Sequence, residues 1–217
     1  MQHSYREIVI LKPTSVFLSF LSAQDPTAEL PSLAVLQADT TAYTIARQDS
    51  EEETLDEIER HFPAMFRHEM NRWLGRSARN PIEGSFLDFL CCFKFEMHSQ
   101  ILLMEPSVEH GQKLLCVKPR SVLLKWIKSS VEEDEDPCDV MERVTLSQLS
   151  ENATVIVKNF EDQTDIQLLV EHHFRPMFNA EMLRMCDRTD QWPEVNTCRD
   201  FNEYFSVEIH TQLVHLY

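Results

Sequence analysis

The chain has 217 residues, 43% of them apolar and 26% charged, with 36 acidic side chains against 20 basic ones and a formal net charge of −16. Chain of this length and apolar content fills one large core or two small ones. A surface so acidic repels phosphate backbones and anionic lipid, which argues against a nucleic-acid or membrane partner held by a broad basic face.

Each half of the chain opens on a short apolar run ended by Lys-Pro, Ile8–Leu11 before Lys12-Pro13 and Leu114–Val117 before Lys118-Pro119. Both read as buried strands. The proline then stands where a helix begins, and short helices are expected over Val16–Leu21 and Val122–Ile127. Ala42–Ala46 and Thr154–Val157, short and rich in β-branched residues, read as the second strand.

A long helical stretch follows. Ser50 and Asp162 are placed to accept its first free N–H groups, and the acids after them suit the positive helix end. Phe62, Phe66 and Met70 recur every four residues, as do Phe174, Phe178 and Met182, which predicts one buried stripe. Pro63 and Pro176 fall inside the stretch and are expected to kink or split it. A short amphipathic helix over Phe86–Phe93 or Cys198–Phe205 leads into a long closing strand, Phe95–Met104 or Val207–Leu216. Asp88 and Asp200 are expected to cap or flank that short helix.

These parallels amount to an internal repeat. Residues 61–100 match 173–212 without a gap, with 15 identities in 40 positions, far above chance. The N-terminal parts align at an offset of 106 instead of 112, so the second copy carries six extra residues, placed in the acidic stretch Glu132–Pro137. The expectation is an α+β protein formed by tandem duplication of a β-α-β-α-α-β unit, residues 1–106 and 107–217, each a small sheet with helices on one face, related by a pseudo-twofold.

The opening of the type Lys-Pro-x-x-x-Phe/Leu-Leu and the close of the type Phe-x-x-Tyr/Trp-Phe-x-Val-Glu-x-His, seen here as Phe201–His210, resemble small bacterial proteins of unknown function. The resemblance spans most of each repeat and implies an architecture and a bacterial source, with no activity attached.

None of the six cysteines matches a cysteine in the other copy, no CxxC pair occurs, and Cys91-Cys92 are adjacent. Buried free thiols are expected rather than a shared disulfide or cysteine-metal scaffold. The three glycines, Gly75, Gly84 and Gly111, stand too far apart for a GxGxxG or GxxxxGK[ST] loop, which excludes nucleotide binding through those motifs. No Gly-x-Ser-x-Gly elbow and no His-Glu-x-x-His occur. No run of 18 apolar residues and no signal-peptide pattern occur either, so a cytoplasmic protein is expected.

The closing strands hold the first candidate site. Alternation puts Glu96, His98 and Gln100 on one face, repeated as Glu208, His210 and Gln212. Side chains two apart on a strand stand about 6.5–7 Å apart, so a glutamate and a histidine can share one divalent metal. A third ligand is then needed, from His61 and His173 or Glu69 and Glu181. The plainer reading of the same residues is structural or inter-unit contact. His61, Met65 and Glu69, with His173, Met177 and Glu181, read as a boundary stripe, with Glu69–Arg72 and Glu181–Arg184 pairing at i,i+3. The favoured function is a non-enzymatic interaction or regulatory module with a protein partner and no cofactor. The alternative is a metal-binding protein or metal-assisted hydrolase using the Glu-x-His-x-Gln strands.

Overall fold

In a computed structural model, residues 6–75, 84–103, 113–132, 144–186 and 188–216 are described. The acidic stretch is outside them beyond Glu132, as is Cys138. The protein is mixed α+β, with two four-stranded mixed sheets.

The first half runs β1 (Arg6–Pro13), α1 (Ser15–Gln24), α2 (Leu33–Ala38), β2 (Ala42–Ala46), α3 (Glu51–Leu74), α4 (Phe86–Cys92), β3 (Phe93–His98) and β4 (Ile101–Leu103). The second runs β5 (Lys113–Pro119), α5 (Ser121–Glu132), α6 (Leu146–Ser150), β6 (Val155–Lys158), α7 (Gln163–Met185), a 3-10 turn (Thr189–Gln191), α8 (Cys198–Tyr204), β7 (Phe205–His210) and β8 (Leu213–His215). Two short helices, α2 and α6, are additional to the expected elements. Ser32 and Thr145 cap them, each accepting a backbone N–H with its hydroxyl.

The expected long closing strand is broken in both halves. Pairing of β3 with β1 stops at His98, opposite Ile8, and β4 joins the other sheet in parallel with β6. Likewise β7 lies beside β5, whereas β8 runs parallel to β2. The sheet orders are β3-β1-β2-β8 and β4-β6-β5-β7. One compact unit therefore takes the chain through Ser99 and again from His210, and the other takes Gln100 and the chain through Ile209.

The ladders also correct the alignment of the second strand. Ile10 is opposite Ala42 and Cys116 is opposite Val155. The β6 strand thus sits one residue later than the expected match, and Ile156 takes the register place of Tyr43. Thr41 and Thr154 correspond, and their carbonyls accept from Leu11 N and Val117 N at 3.2 and 2.9 Å.

The first unit's core lies on one face of its sheet. Val9 and Leu11 of β1 and Tyr43 and Ile45 of β2 cluster with Phe17, Leu21, Leu36, Ile58, Phe66 and Phe89 from α1 to α4. Phe93 centres the aromatic packing, its ring 4.5 Å from that of Phe17 and 5.1 Å from that of Phe89. Each such fully buried side chain contributes about 1.5–3 kcal/mol. The second unit repeats the layout with Leu115, Val117, Ile156, Phe178, Phe201 and Phe205. Trp126 and Trp192 pack against that core, and the Trp192 indole donates to the Cys186 carbonyl at 3.0 Å.

The expected caps are present. Ser50 accepts from Glu53 N, Asp162 accepts from Thr164 N and Asp165 N, and Ser85–Asp88 and Thr197–Asp200 form reciprocal capping boxes. The prolines do not split their helices. Helices α3 and α7 run unbroken over 24 and 23 residues with Pro63 and Pro176 inside them. A proline removes one N–H from the ladder, and here residues around it, Phe62 on Phe86 and Phe89 among them, hold the helix by packing. Gly75, at φ +67°, closes α3 in a backbone region that favours glycine.

Candidate functional site

The two glutamates of the closing strands each meet the lysine of an opening motif. Lys12 Nζ is 2.8 Å from Glu96 Oε1, and Lys118 Nζ is 3.7 Å from Glu208 Oε2. Ile10 pairs with Glu96 and Lys12 with Lys94, so Lys12 and Glu96 are diagonal neighbours across adjacent strands. The Lys-Pro and Val-Glu-x-His elements, far apart in sequence, thus form one cross-strand ion pair.

His98 is fully buried, with Nε2 3.8 Å from Glu96 Oε2. His210 is also fully buried, at the last position of β7 and two residues after Glu208. Its Nδ1 lies 3.1 Å from the Thr40 carbonyl oxygen and 3.0 Å from Thr40 Oγ1. A carbonyl only accepts, so Nδ1 carries the proton. The strand break removes both glutamines from the expected stripe. Gln100 donates through Nε2 to the Ala180 carbonyl at 3.2 Å, and its own carbonyl accepts Val155 N at 3.0 Å. The Gln212 carbonyl accepts Ala42 N at 3.0 Å.

On the helices, the supposed boundary stripe is in the interior at Met65, Glu69, Met177 and Glu181. A buried carboxylate requires donors, and the two units supply them differently. Tyr43 donates its hydroxyl to Glu69 Oε1 at 2.8 Å. Burial first, and then the Glu69 charge, push the Tyr43 phenol well above the usual tyrosine range. The expected Glu69–Arg72 pair is not made. Arg72 turns instead to Asp39 Oδ2 and Thr41 Oγ1, both at 2.9 Å. In the second unit Ile156 offers no hydroxyl, so Glu181 accepts from Thr154 N and pairs with Arg184 at 2.8 Å, as expected.

His61 and His173 diverge most. His61 Nε2 is 3.1 Å from Glu57 Oε1, and Arg60 also pairs with Glu57. On α7 the matching place of Glu57 is Leu169, and those of Arg60 and His61 are His172 and His173. His173 lines a cavity of about 320 Å3 with Lys158, Asn159, Phe160, Asp165, Leu168, Leu169 and His172. Burial, then the Lys158 ammonium, then His172, hold His173 below the usual histidine range. His172 Nδ1 donates to the Leu168 carbonyl at 2.6 Å. Sequence reasoning singled out His173 but missed the cavity. The readable signal was the change from Glu57 to Leu169, which leaves two basic side chains without the carboxylate their counterparts share.

Among the described residues, no three His, Cys, Asp or Glu side chains converge to hold a metal ion. The four residues proposed as the metal set do not gather a third ligand from His61, His173, Glu69 or Glu181. No described helix is long and apolar enough to cross a membrane. No protein-family model, curated protein or solved structure matches the chain.

Proposed function

We propose that this chain is a cytosolic, non-catalytic interaction or regulatory module of two related units that arose by tandem duplication, acting on a protein partner. In this reading the Glu-x-His-x-Gln stripes are structural. One observation supports it above the others: the carboxylates and the imidazole a catalyst would present to substrate already have partners within the fold. Glu96 and Glu208 hold lysines, and His210 donates to the Thr40 backbone from a fully buried position. The duplication is supported by the recurrence of the same element order, the same helix caps and the matching sheet orders.

The test is elemental analysis of the full chain purified without affinity metal or chelator, with cross-linking of the same preparation. The reading expects no stoichiometric metal, and a defined protein partner recovered in fixed ratio. A full equivalent of zinc, iron or manganese, lost on His98→Ala plus His210→Ala, overturns it in favour of the metal-assisted alternative.

A further inference from the structure

We propose that the cavity between β6 and α7 binds a small organic anion, with Lys158 and His173 taking a carboxylate or phosphate group and Leu168, Leu169 and Phe160 taking an apolar body. The inference is independent of the module reading above, since it rests on a cavity that reading does not use.

Three observations carry it. The cavity, about 320 Å3, has a size and mixed lining suited to a small ligand, with an apolar wall and a few convergent polar groups. Lys158 and His173 line it beside a single carboxylate, in a chain where Asp and Glu outnumber Lys and Arg 36 to 20. Asp165 is the one carboxylate among the lining residues, and its Oδ2 already accepts the Glu161 N–H at 2.9 Å. Lys158 makes no ion pair among the described residues.

The first unit serves as an internal control. There Glu57 neutralises Arg60 and His61 on the same helical turn. In the second unit Leu169 stands in place of that carboxylate, and His172 and His173 occupy the places of Arg60 and His61. With no glutamate at this turn, the Lys158 ammonium is left to an anion from solution through a charge-assisted hydrogen bond, with His173 beside it. The leucine that replaces the glutamate also adds apolar wall for the rest of the ligand.

The experiment is calorimetric titration of the full chain with three probes: inorganic phosphate, phenyl phosphate and phenylacetate. Saturable binding is expected for one or both aromatic probes, at least about tenfold tighter than for inorganic phosphate, because desolvating the ring on Leu168 and Phe160 adds to the charge term. Preference for phenyl phosphate marks a phosphate-bearing ligand, and preference for phenylacetate marks a carboxylate. Lys158→Ala and His173→Gln should each weaken binding about tenfold. Leu169→Glu, which restores the first unit's arrangement, should abolish it. Circular dichroism checks that Leu169→Glu remains folded; Lys158 and His173, being less buried, keep the test decisive if it does not. No saturable binding by any probe, or affinity unchanged in both Lys158→Ala and His173→Gln, overturns the proposal.

Discussion

The Asp39 carboxylate accepts both the backbone N–H of Thr211, at 2.9 Å, and its hydroxyl, at 2.6 Å, across 172 positions of sequence. Arg72 holds the same carboxylate at 2.9 Å from α3. Immediately before Thr211, His210 donates to the Thr40 carbonyl, and after it Leu216 N donates to Thr44 O at 3.1 Å. Residues 210–216 are thereby fastened to the end of β2 that α2 feeds.

Asp39→Ala should destabilise the first unit by about 1–3 kcal/mol, since it strips a charged acceptor from three donors at once. Thr211→Val should cost less, about 1 kcal/mol, because the backbone donor remains. Urea unfolding measures both, and amide exchange should quicken at Thr211 and Leu216 in Asp39→Ala. If the double variant loses the plain sum of the two single effects, the residues are not coupled and the fastening assigned to them is wrong.

Tyr43→Phe leaves Glu69 buried without its hydroxyl donor and should cost about 1–3 kcal/mol in urea unfolding. Since burial and the Glu69 charge both raise the Tyr43 pKa, its phenol should stay protonated to high pH while the fold persists. Ultraviolet titration of wild type against Tyr43→Phe isolates that phenol. An ordinary tyrosine titration at this residue would mean that the hydroxyl does not face the carboxylate.

The adjacent cysteines should differ sharply as nucleophiles. Cys91 is exposed, whereas burial first, and then Cys91 and Asp88, push the Cys92 thiol up to about 11. The thiolate is the reactive form, so iodoacetamide at pH 8 should label Cys91 and spare Cys92, and labelling of Cys92 should rise only towards its own pKa. Tandem mass spectrometry of the shared peptide distinguishes the two. Equal labelling at pH 8 would contradict the buried position of Cys92.

The sequence is legible where the physics is local. Ser50 and Asp162 cap helices because a short oxygen-bearing side chain reaches N–H groups two or three residues on, and Asp88 and Asp200 reach back three residues to the N–H groups of Ser85 and Thr197. The phenylalanine stripe of α3 follows from helical period alone. The break of the closing strands after His98 and His210 was hidden, because apolar alternation continues through Ile101 and Leu213 while the hydrogen-bonding partner changes. Periodicity specifies which way a side chain points, not which strand lies alongside. The same limit hid Tyr43 as the donor to Glu69: a one-residue shift in the register of β6 separates Tyr43 from Val155 and gives the matching place to Ile156. The cavity beside His173 needed two helices compared position by position, with charge rather than identity as the quantity followed.

The placement of β8 sets an order on biosynthesis. The first sheet has three of its four strands by residue 98, yet β2 keeps an unpaired edge until residues 213–215 have been made. The second sheet has the reverse history: its edge strand β4 is synthesised before β6, the strand it will join. An open strand edge is a template for any passing chain. On a polysome, where nascent copies stand close together, β2 of one copy faces a choice between its own late-arriving β8 and that of a neighbour further along the message.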